Sequence, residues 1–301
     1  MNIQKILNEI KGTEPEVFER LTERRQILKD MGAKALALGL PVAVASLLPL
    51  GSKAQTGAGS STATTAAIST LNYLLELEFI QFNYFHIGNN TGDLVPSADQ
   101  PGLLTIETQD AAHITFLRNL INTLGGTPFT PAHYTYNALT GNPYSPYSYD
   151  FTAGGTYQIY SASAGDYTNF LELGQVIKDL MVRAYQAQVA NLLSNTGSSL
   201  GGVMQIMGAE GRHAAHLRLM RRFMAAPEYP KPWITNNIPP AQNFSAFYTG
   251  EDNTIQYGGI NITTLAGVNG AEITETAATE AFDEPMSQTS VLSLLAPFIL
   301  S

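Results

Sequence analysis

The chain has 301 residues, 44% hydrophobic and 14% charged, the composition of a folded protein long enough to bury a large core. It has no cysteine, which excludes disulfides, thiolate zinc sites and cysteine nucleophiles and leaves carboxylate and imidazole as the metal-binding side chains. The net charge is −9, and from Gln55 onward 8 basic residues face 19 acidic ones, net −11, a surface that excludes nucleic acid as a natural partner.

The N-terminal segment, residues 1–54, carries most of a transport signal. Arg24-Arg25 lead into Gln26-Ile27-Leu28-Lys29, and an uncharged run follows from Ala35 to Leu50. This resembles a bacterial twin-arginine signal, with Thr22 displaced by one position because Glu23 intervenes and with Ser52-Lys53-Ala54 suited to cleavage. The run of 16 residues is short for a membrane span, and Pro41 interrupts it. The resemblance implies passage through the twin-arginine translocase to the periplasm or cell envelope. Membrane contact is then confined to this segment if it stays uncleaved. Proteins on that route fold, and often load a cofactor, before crossing.

A Gly/Ser/Thr-rich stretch from Gly51 to about Thr65 reads as a linker, residues 55–65 of it following the export segment. Residues 66–226 then carry four helical patterns, at about Ala66–His86, Leu103–Leu124, Asp166–Leu193 and Leu200–Ala225. Gly125-Gly126 and Pro128 stop the second helix, and the short link SNTGSSLGG makes the third and fourth antiparallel neighbours. Between the second and third lies a long Tyr/Pro/Gly/Ser-rich connection, 127–165, suited to crossing a bundle from end to end. Residues 227–301 read as an extension packed on the bundle, with a hairpin within NTIQYGGINITTLAG and an apolar helical turn or two at the end. The predicted fold is an all-α four-helix bundle with a long loop between helices 2 and 3 and an irregular C-terminal extension.

Each helix has an apolar seam at steps of three and four, and each seam is interrupted at its centre by ionisable residues. The first runs Leu71, Leu75, Glu78, Phe82, Phe85; the second Leu103, Ile106, Asp110, His113, Leu117, Leu120, Leu124. The third runs Leu171, Gly174, Lys178, Met181, Tyr185, and the fourth Val203, Ile206, Glu210, His213, Leu217, Met220, Met224. Residues three apart share a helix face, so Asp110/His113 and Glu210/His213 both aim an acid and an imidazole inward. A lone pair of this kind is ordinarily a solvated or hydrogen-bonded pair. Two of them with a third helix's Glu78 match the way four-helix bundles hold two iron or manganese ions, because bridging carboxylates suit such ions and each imidazole caps one. Tyr73, Tyr84 and Tyr185 read as core filling.

The segments LNYLLELEFIQFNYF, DAAHITFLRNLINTLGG, VIKDLMVRAYQAQVANLL and IMGAEGRHAAHLRLMRR, with the tail ATEAFDEPMSQTSVLSLLAPFIL, together resemble bacterial ferritin-like domain proteins related to plant desiccation-related proteins, over about residues 62–301. The resemblance implies a ferritin-like bundle in which Glu78 fills the first-helix ligand slot and Glu210 with His213 fill the fourth. His113 fits the second helix, where Asp110 replaces glutamate, and the third-helix slot holds Lys178 with Asp179 beside it.

Lys178 brings a cation of its own, and three outcomes stay open. Lys178 neutralises the acids and no metal binds; one ion binds on Glu210, His213, His113 and Glu78; or Asp179 turns in through a small helix rotation and restores two. The remaining polar residues take blander readings. His216 lies off the seam, Glu76 and Glu107 sit beside theirs as surface groups or partners for a histidine, and His86 and His133 lie near loops. Arg212, Arg218, Arg221 and Arg222 read as a solvated face where positive charge suits a helix C-terminus. Three functions compete, and enzymatic activity stays open among them: metal-dependent redox or metal handling with iron or manganese, a metal-free structural or stress-protective envelope protein, and an assembly module using the aromatic loop 128–160. Self-association into a homo-oligomer fits any of them.

Overall fold

A computed structural model gives the fold and describes residues 61–132, 135–137, 142–144, 148–160, 166–193, 197–223, 230–256, 258–267 and 270–300. The chain divides into two units, Met1–Gln55 and Thr56–Ser301, and all described residues belong to the second. The export segment, His133 and Met224 therefore lie outside the described residues.

Four long helices dominate: α1 (Ser61–Asn90), α2 (Gln100–Thr123), α3 (Asp166–Leu193) and α4 (Gly197–Arg222). α1 begins within the stretch read as a linker, so residues 61–65 are helical. The Ser/Thr/Ala content of that turn is compatible with helix once the seam behind it is buried. α2 opens with Pro101 in its first turn, where a missing N–H costs nothing. It closes in a Schellman motif, with Gly125 at φ 81° and Gly126 N–H donating to Ile121 O.

α1 packs on α2, α3 packs on α4, and α1 meets α3. Two glycines let the rods approach closely: a Cβ at Gly88 would overlap the ring of Phe170, and one at Gly202 the ring of Phe116. The seams are buried as their periodicity requires, except that Leu120 and Leu124 are half-exposed and Ile121 turns inward in their place. No helix among the described residues is long and apolar enough to cross a membrane.

The α2–α3 connection contains an antiparallel hairpin of β1 (Thr135–Asn137) and β2 (Asn142–Tyr144). Its described C-terminal part turns aromatic residues inward. Phe151 packs edge-on against Tyr84, with ring centroids 5.1 Å apart, and Tyr149 and Ile159 are buried with it. This stretch of the loop is committed to the bundle and offers little free aromatic surface.

The C-terminal extension is a string of short elements. These are a 3-10 turn at Gln242–Tyr248, a small hairpin of β3 (Ile255–Gln256) and β4 (Ile260–Asn261), α5 (Glu275–Thr279) and α6 (Gln288–Leu295). Thr274 caps α5 and Ser287 caps α6, each accepting from a backbone N–H three residues on. The extension is fastened to α3 by Arg183, whose guanidinium donates to the carbonyls of Glu284, Phe247 and Thr249 and pairs with Glu251 at 2.6 Å. The chain end then pairs with the crossover, where Leu300 N–H donates to Ser148 O and Asp150 N–H to Phe298 O.

Candidate metal centre

The interruptions of the four seams meet in the bundle interior. Glu78 from α1, Asp110 and His113 from α2, and Glu210 from α4 each place a ligand atom within 4.8 Å of the others, and all four are buried. His113 Nδ1 lies 3.3 Å from Glu78 Oε2 and 3.2 Å from Glu210 Oε1. His213 stands at the edge of the group, with Nδ1 3.6 Å from Glu210 Oε1 and 3.7 Å from Asp110 Oδ1. Its Nε2 faces Gln109 Oε1 at 2.7 Å, and the two imidazoles lie near-parallel with centroids 6.3 Å apart.

Lys178 enters from α3, fully buried, and its ammonium lies inside the group. Nζ donates to Asp110 Oδ1 at 2.7 Å and to Gln81 Oε1 at 2.6 Å, and it sits 2.9 Å from Glu210 Oε2. Burial works against its charge, but Asp110, Glu210 and Glu78 outweigh that and raise its pKa. The ammonium is therefore a permanent cation on the Asp110–Glu210 side.

The other titrations follow from the same crowding. Burial pushes Asp110 well above the usual carboxylate range despite Lys178, with Glu210 and Glu78 adding to the rise. Glu210 goes the other way: burial opposes its charge, yet Lys178 and then His213 hold it well below. The two titrate as a pair, burial driving Asp110 upward and Lys178 driving Glu210 downward. Burial disfavours charge on His113 too, but Glu78 and Glu210 overcome it and raise its pKa to about 10. Burial, with Lys178 adding repulsion, lowers His213 to about 4 and keeps it neutral.

Two contributors were not read as part of the site from the sequence. Gln81, one helical turn past Glu78, bridges the site: its amide donates to Glu78 Oε2 at 2.6 Å and its carbonyl accepts from Lys178. The i, i+3 spacing from Glu78 is the signal that could have found it. Tyr185 is more than core filling, since its hydroxyl donates to Glu78 Oε1 at 2.5 Å. It lies on the same seam as Lys178, two turns on. Tyr84 does act as packing, its hydroxyl spent on Phe170 O.

Asp179 does not turn toward the group. One residue after Lys178 it points about 100° away around the helix, and its carboxylate accepts from Arg218 at 2.5 Å and from the Tyr248 hydroxyl at 2.5 Å. Replacing Lys178 as a ligand would require abandoning both. Arg218 and Arg221 correct the reading of a solvated face: they are 4% and 7% exposed, covered by the C-terminal extension, whereas Arg212 and Arg222 are exposed. His216 is exposed, and Glu107 serves a histidine of its own, accepting from His86 Nδ1 at 2.6 Å on the flank of α1.

Residues 66–222 match the family model of the ferritin-like domain, just over half of the chain, and the chain belongs to that family. No curated protein matches it.

Proposed function

We propose that this ferritin-like protein is exported to the periplasm or cell envelope and holds one divalent ion, iron or manganese, beside a fixed lysine. The observation that carries this reading is the convergence of Glu78, Asp110, His113 and Glu210 on one buried point, where Asp110 Oδ2 and His213 Nδ1 have no hydrogen bond and Glu210 meets only the ion-pair approaches of Lys178, His113 and His213. Buried lone pairs facing one another are costly unless a cation takes them. The donor set, carboxylate oxygen with imidazole nitrogen, suits iron or manganese. Glu78, Glu210 and His113 would hold the ion, with Asp110 and His213 at its margin. The Lys178 charge on the Asp110–Glu210 side opposes a second.

An ion bound there supplies one-electron redox chemistry toward oxygen species, or is itself the cargo being handled. The chain's own residues fix the setting. Tyr185 and Gln81 each donate to a different oxygen of Glu78 and lock its plane, and burial of all four ligand residues keeps bulk water away. The test is metal analysis after anaerobic reconstitution with Fe(II) or Mn(II). About one ion per chain is expected. Two ions would overturn the role given to Lys178, and none would overturn the metal reading.

A second reading is favoured by one specific contact set, the three short approaches of Lys178 to Asp110, Glu210 and Gln81. In it the lysine alone closes the site, and the protein is a metal-free structural or stress-protective component of the envelope. A Lys178→Met variant separates the two, because only the metal reading predicts that Mn(II) restores its stability. Export rests on the Arg24-Arg25 segment. Changing both to lysine in a reporter fusion should block transport, and undiminished transport would remove that part of the proposal.

A further inference from the structure

Outside the bundle interior, a cavity of about 330 Å³ lies where the C-terminal extension crosses the end of α4. Arg218, Arg221, Lys231, Trp233, Ile238 and Pro239 line it. The two guanidinium groups are desolvated, yet they are unequally served. Arg218 has the Asp179 carboxylate at 2.5 Å. Arg221 has the neutral amide oxygen of Gln175 at 2.5 Å and Glu172 only at 3.3 Å, and its Nε–H is buried without a partner. A buried guanidinium with a free N–H and one distant acid is short of negative charge.

Other lining residues are apolar and exposed. Trp233 is 49% exposed and Ile238 63% exposed, although both border a concave site. Lys231 stands at the mouth, half-exposed and paired with Glu280. A cationic floor and an aromatic wall together select a ligand that bears an oxyanion at one end and a ring face alongside. The unpartnered Nε–H of Arg221 offers a carboxylate a charge-assisted hydrogen bond, and an indole face accepts the C–H face of a ring. The volume is at the small end of ligand sites and fits one ring rather than a chain of them.

We propose that this cavity binds an acidic monosaccharide unit, a pyranose bearing a carboxylate, with Arg221 as the carboxylate anchor and Trp233 as the ring platform. Trp233 is the one tryptophan in the chain, so its fluorescence reports this site alone. The experiment titrates the full chain with D-glucuronate, with D-glucose and acetate as controls. A saturable change with glucuronate is expected. Glucose, which lacks the carboxylate, should bind about tenfold or more weakly, since a charge-assisted hydrogen bond is worth at least that factor, and acetate should bind more weakly than glucuronate because it lacks the ring face that the indole covers. Arg221→Gln should weaken glucuronate binding by a similar factor. Lys231→Gln, on the exposed rim, should keep the fold and weaken binding a few-fold. No response to glucuronate overturns the proposal. So does an equal response to acetate, which would mean anion binding without ring recognition, or to glucose, which would leave Arg221 without its role.

Discussion

Lys178 enters the bundle and Asp179 leaves it, although they are adjacent on α3, and each leads into a different ionic network. Around Lys178 three carboxylates and two imidazoles are crowded together, the ammonium pairs with Asp110 and Glu210, and Asp110 Oδ2 and His213 Nδ1 have no hydrogen bond. Around Asp179 the balance is reversed. Arg218 and Tyr248 both donate to its Oδ2, and Arg183 nearby spends its donors on three carbonyls and Glu251. The interior network gathers carboxylates and imidazoles from separate helices about one point. The outer network is held mainly by backbone and guanidinium and acts as a fastener, although Glu251 Oε2 there is also buried without a hydrogen bond. Burial and a single unmatched atom are common to both, so what marks a site for metal is the convergence of several ligand atoms.

The fastener should be the more fragile when cut. Arg183→Ala strands a buried glutamate and leaves three carbonyls without their donor, and a loss of about 3–5 kcal/mol is expected in denaturant unfolding. Hydrogen exchange should rise first in residues 242–300, ahead of the helices. A loss below about 1 kcal/mol would show that the extension is held by its apolar contacts instead.

Cutting the interior network should cost less, because Lys178 serves two carboxylates and one side-chain amide, and no backbone carbonyl loses its donor. Lys178→Met is expected to lose about 2–3 kcal/mol without metal and to recover most of it with Mn(II), by ligand linkage to the folded state. Lys178→Glu should raise metal stoichiometry from one toward two. An unchanged stoichiometry would mean that reach, through the short Asp110 side chain, limits the second ion rather than charge.

Two tyrosines sharpen the contrast further. Tyr185→Phe removes a hydroxyl from Glu78, and Tyr248→Phe removes one from Asp179. Each is expected to cost about 1–2 kcal/mol, but only Tyr185→Phe should change the affinity for Fe(II) or Mn(II). Equal effects on metal binding would erase the distinction between the two networks.

The interior network was largely legible in the sequence because it obeys helical arithmetic. Glu78, Asp110, His113, Lys178 and Glu210 interrupt apolar seams, and a seam position points inward whatever residue occupies it. Gln81 and Tyr185 obey the same arithmetic, but an amide and a phenol carry no obvious charge signal, so they pass as polar neighbour and core filler. The outer network was not legible. Arg218 and Arg221 follow helix-dipole logic for a wet C-terminus, and their burial depends on irregular segments around Trp233 and Tyr248 that have no period to read. Asp179 looked like a spare ligand only while its partners, Arg218 and Tyr248, were unassigned. Ionic contacts between a helix and an aperiodic chain are set by tertiary placement, and local pattern does not encode them.

The smallest effect separates the two networks by the sign of a pH slope. Burial, then Lys178, lowers His213 to about 4, so the folded protein keeps it neutral while the unfolded chain protonates it near 6.5. Its contribution is full above pH 6.5 and is lost as pH falls from there toward 4. Glu251 behaves oppositely: burial, reinforced by Asp283 and opposed by Arg183, raises it to about 8, so the folded protein keeps it protonated. Its contribution is full below 4.5 and is lost as pH rises from 4.5 through 8. Between pH 4.5 and 6.5 the two slopes oppose each other, each on the order of 1 kcal/mol per pH unit. Asp110, which burial raises, adds a falling slope inside the same window, so each variant of the metal-free protein is read against the parent. Relative to the parent, Glu251→Gln should tilt stability upward with pH across this window. His213→Gln should tilt it downward. His113, raised to about 10, adds a loss only above pH 6.5. If both variants tilt the same way, the two networks do not titrate independently, and Lys178 and Asp179 would have to be treated as parts of one site.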